Sequence, residues 1–151
     1  MTTAVLTLHD LYTEDETAWL DGMAELLKHG LNDSLDYSNL QEYLTDMAKR
    51  ERREVESRLT LLIQHILKWQ FQPEQRSRSW HLTIAVQRDE LYADAGKGAL
   101  RHHAESVLPE VYPKAVERAS IETSLSAETF PAECPLTLDE LFAFTPERRY
   151  G

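Results

Sequence analysis

The sequence predicts an all-α fold, a helical bundle built on one long central helix at about residues 36–71. Three observations support this prediction. Apolar residues recur every three to four positions along most of the chain, the spacing of amphipathic helices. No segment alternates between apolar and polar residues as a half-buried strand does. The 151 residues include only five glycines, and 42% are hydrophobic, which suffices for the core of one domain.

The N-terminal helix is expected to begin near Thr13. Thr13 and Glu16 have the spacing of a capping box, in which each side chain bonds the backbone N–H of the other residue. Gly30 supplies the left-handed residue that commonly ends a helix. The apolar residues at helical spacing between them are Trp19, Leu20, Met23, Leu26 and Leu27.

The long helix is expected to follow from about residue 36 to residue 71. Asp36 is a suitable N-cap, and Pro73 stops the pattern because proline lacks an N–H. At about 1.5 Å per residue the helix would span roughly 50 Å, so the shorter helices should lie on it. Its apolar stripe is Leu40, Leu44, Met47, Val55, Leu59, Leu62, Ile63 and Ile66.

Ionisable residues interrupt or border this stripe, and we call four of them the polar seam: Glu51, Glu54, Arg58 and His65. Glu51 falls where the stripe passes between Met47 and Val55, so we expect it on the buried side. A charge is costly to bury unless it is paired. The seam is therefore either neutralised by neighbours inside the fold or used in chemistry.

Both interpretations of the seam stay open at this point. Glu54 as a general base, with Arg58 and His65 holding a phosphate, would form a small catalytic site. Residues three and four apart share a helix face, so the same side chains can instead form a ladder of ion pairs that fixes helix register.

A second helix is expected at about residues 78–95, capped by Ser77 or Ser79 and packed antiparallel against the long helix because the connection is short. The tip of this hairpin concentrates the cationic and aromatic residues Lys68, Trp69, Arg76, Arg78 and Trp80. These five are candidates for binding an anion, a stacked base or a protein partner. In a purely structural role, the tryptophans would hold the hairpin together while arginines cap carbonyls at the end of the long helix.

The C-terminal third predicts a helix interrupted by proline. Apolar residues from Leu100 to Ala119 have helical spacing, but Pro109 and Pro113 lie inside the stretch. We expect either a kink or two shorter helices, with Pro109 in a first turn.

A loop over residues 124–135 should connect this helix to a short final one. Thr137 with Glu140 forms a second capping box, which opens a helix running to about Phe142. Together the elements predict a single helical domain over residues 1–151, with an ordered core of about 11–143.

The formal net charge of −10 disfavours general affinity for nucleic acid or an anionic membrane. The charge is uneven, at −7 for residues 1–50, +1 for residues 51–90 and −4 for residues 91–151. Nucleic acid binding is therefore conceivable only at the hairpin tip. The chain has a single cysteine, no signal-peptide pattern and no apolar run long enough to span a bilayer, so we expect a cytoplasmic protein.

We expect no cofactor and no metal ion. The sequence has no phosphate-binding glycine loop, no nucleophile elbow and no Glu-x-x-His or His-x-x-x-His pair. His102 with Glu105 would hold an ion only weakly, and we expect them and His103 on an exposed helix surface. Cys134 has no obvious activating base, so we interpret it as a small buried residue that anchors the C-terminal loop.

Several motifs carry a resemblance to a known family. In the centre they are Glu51-Arg52-Arg53, Glu56-Ser57-Arg58-Leu59, His65-x-Leu67-Lys68-Trp69-Gln70 and Arg76-Ser77-Arg78-Ser79-Trp80. Towards the ends they are Leu11-Tyr12 with Asp15 and Trp19, Asp36-x-x-Asn39-Leu40, and Phe130-Pro131-x-x-Cys134-Pro135-x-Thr137-Leu138. Over about residues 11–142 the sequence resembles the bacterial "domain of unknown function 29" family. The resemblance implies a compact helical protein with no established activity.

We therefore expect a non-enzymatic protein–protein interaction or regulatory module. We also expect a homodimer, because the long helix presents more surface than four short segments can cover. The alternative is a small hydrolase or nucleic-acid-processing enzyme that uses the polar seam. A third class, the regulatory partner in a toxin–antitoxin pair, is compatible with the same features.

Overall fold

A computed structural model of the protein describes residues 6–147. This part of the chain forms six α-helices and three short 3-10 helices and contains no strand, which confirms the all-α prediction. The α-helices are α1 Leu8–Glu14, α2 Glu16–Lys28, α3 Tyr37–Phe71, α4 Arg78–Ala95, α5 Gly98–Thr123 and α6 Leu138–Ala143. Within the described range, no helix is long and apolar enough to cross a membrane.

The chain divides into two compact units, which we call unit 1 (residues 1–49) and unit 2 (residues 50–151). The long helix α3 begins in unit 1 and ends in unit 2. The organisation as a single domain over residues 1–151 stays a prediction.

The predicted N-terminal helix is two helices. Thr7 caps α1 and forms a capping box with Asp10. After α1 ends at Glu14, Asp15 caps α2 by accepting a hydrogen bond from the Ala18 N–H at 3.1 Å.

The predicted capping box of Thr13 with Glu16 is therefore wrong. Thr13 lies inside α1, where its hydroxyl donates to the carbonyl of Asp10 at 3.3 Å. Aspartate is at least as good an N-cap as threonine, and Asp15 is placed where the chain turns.

Unit 1 has a small core centred on Trp19 and Met23, which are 0% and 3% exposed. The rings of Tyr12 and Tyr43 lie 4.8 and 5.5 Å from the Trp19 ring centre. Helices α1 and α2 pack together around these side chains.

In unit 2, α3 and α4 form the predicted antiparallel hairpin. Ser77 caps α4, and its side-chain oxygen accepts the Trp80 N–H at 3.2 Å. Arg58 lies 3.8 Å from Asp94 near the end of α4, whereas Lys68, further along α3, lies over the Trp80 ring at the start of α4.

Helix α5 continues through both prolines, so the expectation of two shorter helices is wrong. The expectation that Pro109 lies in a first turn is also wrong, because Pro109 lies well inside the helix. Each proline removes one N–H from the helix ladder, which leaves the carbonyls of Glu105 and Pro109 without their usual donors. Pro109 and Pro113 are exposed and four residues apart on one face. Burial of the other face of α5 holds the helix together, through Ala104, Val107, Val111, Tyr112, Ala115 and Ala119.

The second predicted capping box, Thr137 with Glu140, is confirmed and opens α6. Helix α6 packs against α4 and α5, and Arg101 of α5 meets Asp139 at 2.9 Å. The core of unit 2 is made by side chains from α3 to α6, among them Val55, Leu59, Leu62, Ile63, Ile66, Leu67, Ile84, Leu91 and Leu141.

Candidate functional site

Arg58 is held by several polar side chains of unit 2. Its guanidinium lies 2.8 Å from the Glu54 carboxylate and donates to the side-chain amide oxygen of Gln87 at 3.3 Å. Glu90 and Asp94 of α4 lie 4.0 and 3.8 Å away. These contacts tie α3 to α4 and favour the ion-pair interpretation of the polar seam.

The two acidic members of the seam face solvent. Glu51 and Glu54 are exposed, and in unit 2 the first buried residue of α3 is Val55. The expectation that Glu51 lies on the buried side is therefore wrong. The other helices of unit 2 cover α3 only from Val55 onward, so a charge one turn earlier stays hydrated.

His65 is half-buried and distant from Glu54. Its Nδ1 lies 3.0 Å from the carbonyl oxygen of Leu61. Burial lowers the pKa of His65 more than the Leu61 carbonyl raises it, so the ring is neutral at pH 7. Glu54 and His65 are eleven positions apart, which corresponds to about 16 Å of helix rise. Groups that act on one substrate must reach the same atoms, so this separation disfavours the catalytic interpretation.

Lys68 is buried in unit 2 together with a neutralising partner. The residue is only 4% exposed, and its ammonium donates to the carboxylate of Glu122 on α5. Gln64 donates to the other oxygen of the same carboxylate. The Lys68 ammonium also lies 4.5 Å from the centre of the Trp80 ring. Lys68 therefore joins α3, α4 and α5.

The other candidate residues of the hairpin tip also make internal contacts. Trp69 is 3% exposed, and Arg76 donates to its carbonyl oxygen at 2.8 Å while the guanidinium lies 4.9 Å from the Trp69 ring centre. Trp80 is partly buried, and Arg78 is exposed. These contacts match the structural interpretation, in which an arginine caps a carbonyl near the end of the long helix. Binding of an anion or a partner at the tip stays a prediction.

Sequence reasoning missed a polar cluster in unit 1. The Asp36 side chain is 8% exposed, and it accepts the Trp19 indole N–H at 3.0 Å and the Asn39 amide at 2.8 Å. His9 Nδ1 lies 3.3 Å from the other Asp36 oxygen. Burial raises the pKa of Asp36, but these hydrogen bonds together outweigh it and hold the pKa below its ordinary value.

A histidine bonded to a buried carboxylate is an arrangement that can orient a general base. His9 is 67% exposed, however, and the bonds to Asp36 chiefly fasten α1 and α2 to the start of α3. The sequence did contain a signal for this cluster. Asp36 and Asn39 are three residues apart and share a helix face, and both belong to the motifs that carry the family resemblance.

The remaining candidates from the sequence were Cys134 and two consecutive histidines, His102 and His103. The half-buried Cys134 thiol donates to the Leu136 carbonyl oxygen at 3.3 Å, and burial raises its pKa, so the thiol stays protonated. His102 is exposed, as expected. The expectation of an exposed His103 is wrong, because this face of α5 turns towards α3. The His103 side chain is 21% exposed, and its Nε2 lies 3.8 Å from the Glu56 carboxylate. Among residues 6–147, no three His, Cys, Asp or Glu side chains are grouped to hold a metal ion.

Two adjoining hollows of about 720 and 360 Å³ run along α5 in unit 2, and we call them together the α5 groove. Both are lined by Tyr112 and Pro113 of α5 and by Ala132 of the following loop. The Tyr112 hydroxyl donates to the Pro131 carbonyl oxygen at 2.6 Å and so fixes the loop on the helix. Burial raises the pKa of Tyr112 to about 12, which keeps this donor protonated at neutral pH.

The walls of the α5 groove are largely apolar, and all charged side chains that line it are acidic. The apolar lining includes Leu108, Val116, Ile121, Phe130 and Pro131. The charged lining consists of Glu117, Glu128 and Glu133. The pKa of Glu128 is lowered by the hydrogen bond from the Ser126 hydroxyl, so this carboxylate is ionised.

The fold and these contacts define an all-α protein in which charged side chains join the helices. The chain belongs to the family described as Domain of unknown function DUF29, whose model matches residues 11–145. This match confirms the resemblance seen in the sequence. Comparisons with curated proteins and with solved structures gave no match.

Proposed function

We propose that this protein is a non-enzymatic interaction module that binds a basic, apolar segment of a partner protein in the α5 groove. The observation that carries the proposal is the lining of the groove, which combines apolar walls with Glu117, Glu128 and Glu133 as its charged residues. Apolar walls gain free energy when they are removed from water, and acidic rims attract cationic side chains. A segment with leucine-like side chains flanked by lysine or arginine satisfies both.

The size and exposure of the groove support the same proposal. The larger hollow, at about 720 Å³, falls within the roughly 300–1,000 Å³ typical of binding pockets. Ile121 in its wall is 72% exposed, so a partner would bury an apolar side chain that is now in water. The Pro109 carbonyl lacks its usual helical donor, and it can accept an N–H from a partner.

The enzymatic alternative receives less support from the described residues. Arg58 is surrounded by Glu54, Gln87, Glu90 and Asp94, and a phosphate would have to displace these contacts. His65 is held at the Leu61 carbonyl. A hydrolase that uses the polar seam stays the runner-up hypothesis.

Peptide binding tests the groove. We expect a helical Lys/Leu peptide to bind in a fluorescence anisotropy titration and a Glu/Leu peptide of equal length not to bind. Ile121→Lys should weaken the Lys/Leu complex about tenfold, which corresponds to about 1.4 kcal/mol, because it places a cation in the groove. Leu82→Lys is the matched control, since Leu82 is 65% exposed on α4. Equal binding of the two peptides, or an equal loss with Leu82→Lys, would contradict the proposal.

We propose in addition that two copies of the chain associate through unit 1. Trp19 and Met23 are its only buried residues among those described, a small core for its length. Leu27, Tyr37 and Leu44 are each more than half exposed. A second copy would bury these side chains and enlarge the apolar core.

Sedimentation velocity tests the association. At high micromolar concentration the chain should sediment with twice its own mass, and Leu44→Glu should shift the equilibrium to the monomer because a charge would enter the apolar contact. Leu82→Glu serves as the control in unit 2. A monomer at all concentrations would rule out the dimer but would leave the peptide result unaffected.

A further inference from the structure

A third hollow in unit 2 has the opposite charge to the α5 groove. It measures about 280 Å³ and lies between α3 and α5. Arg53 and Ser57 line it from α3, and Lys114 and Arg118 line it from α5. Three cations thus converge on one hollow in a chain whose formal net charge is −10.

Several other cations of unit 2 that contact neighbouring helices have a carboxylate partner, and these three differ from them. Arg58, Lys68 and Arg101 each pair with an acidic side chain. Arg53, Lys114 and Arg118, by contrast, make no ion pair within 4.0 Å with any residue that the structure describes. Placing three unpaired cations together costs repulsion, which an anion would relieve.

We propose that this hollow binds the phosphate group of a small phosphorylated molecule. The charges agree with this ligand: three cations and the single carboxylate of Glu56 leave a local charge of +2, and a phosphate monoester carries about −1.5 to −2 at neutral pH. Arginine offers paired N–H donors to phosphate oxygens, and the Ser57 hydroxyl adds another donor.

The size of the hollow restricts the rest of the ligand. A volume of about 280 Å³ lies just below the range for ligand pockets, roughly 300–1,000 Å³, so the ligand must be small. Val111 supplies an apolar wall, which suits a short organic group attached to the phosphate. A nucleic acid chain would also meet the acidic remainder of the protein, so a small molecule is favoured over a polymer.

An NMR titration tests the site with defined probes. Inorganic phosphate and phenyl phosphate should each shift the backbone amide signals of residues 53–60 and 111–118 in a saturable way at constant ionic strength. Phenyl phosphate should bind more tightly, since its ring can contact Val111. Lys114→Gln and Arg118→Gln should each weaken binding at least tenfold. Both side chains are exposed, so neither change should unfold the chain.

The control variant is Lys97→Gln, which removes an exposed cation of unit 2 outside the hollow. Its affinity for both probes should equal that of the unchanged protein. Shifts that grow linearly without saturation, or an equal loss in Lys97→Gln, would overturn the proposal. Tighter binding of a single-stranded oligonucleotide than of phenyl phosphate would also overturn it, in favour of a nucleic acid site. None of these results depends on the α5 groove.

Discussion

The charged side chains of Asp36 and Lys68 are only 8% and 5% exposed, and each charge is compensated in a different way. Asp36 in unit 1 accepts hydrogen bonds from neutral donors, those of Trp19 and Asn39. Lys68 in unit 2 has a carboxylate partner in Glu122 and an aromatic one in Trp80. In both cases the charged side chain connects segments that are distant in the sequence. Substitution of either residue should therefore lower the free energy of unfolding.

Asp36→Asn should lower the free energy of unfolding by about 1–3 kcal/mol at pH 7, because it weakens hydrogen bonds to a charged acceptor. The pKa of Asp36 is lower in the folded protein than in the unfolded chain. The ionised carboxylate therefore stabilises the fold above the ordinary aspartate pKa of about 4, and this stabilisation is lost as the pH falls through the pKa of Asp36 in the folded protein. Urea unfolding at several pH values measures this, with the exposed Asp21→Asn as control. A difference that is the same at pH 7 and pH 3 would contradict the role of the carboxylate.

At the scale of elements, apolar spacing identified α3, α4 and α6 well, and two kinds of local signal misled. The spacing of Thr13 and Glu16 matches the capping-box pattern, but Thr13 lies inside α1 and Asp15 caps α2 instead. The prolines of α5 are strong helix breakers locally, yet burial of the opposite face, including Val107 and Val111, outweighs them. Competition between neighbouring N-cap residues decided the first outcome. Tertiary packing, which is not visible in a local window, decided the second.

Pro113→Ala should stabilise the protein by about 1–3 kcal/mol, because it restores an N–H donor to the Pro109 carbonyl in the middle of α5. Thermal melting followed by circular dichroism measures the change. Pro135→Ala is the control, since Pro135 lies outside the helices and offers no ladder bond to restore. A lower melting temperature for Pro113→Ala would show that the proline ring itself contributes packing that outweighs the hydrogen bond.

The candidate site was only partly predictable from the sequence. The pairing of Arg58 with Glu54 follows from their spacing of four residues on one helix. Other contacts depend on which helices become neighbours in the fold. They are those of Arg58 with Glu90 and Asp94 and that of Lys68 with Glu122. The α5 groove and the cationic hollow are likewise formed by side chains from separate segments, and no sequence pattern links those segments.

At the scale of the whole molecule, the sequence has many more acids than bases, and the structure separates their roles. Lys68 pairs with Glu122 and joins α3 to α5, and Arg101 pairs with Asp139 and joins α5 to α6. Glutamates collect along the α5 groove, and unpaired cations collect in one hollow. We propose that the buried charges of the long helix serve architecture rather than catalysis.

The free energy of unfolding of Glu122→Ala tests this claim most directly. Removing the partner leaves the Lys68 ammonium buried without a carboxylate, which should cost about 3–5 kcal/mol. Adding Lys68→Met should restore much of the loss, because the uncompensated charge is then replaced by an apolar side chain of similar length. Glu110→Ala, at an exposed position of the same helix, should change little. A Glu122→Ala protein as stable as the unchanged chain would contradict the account.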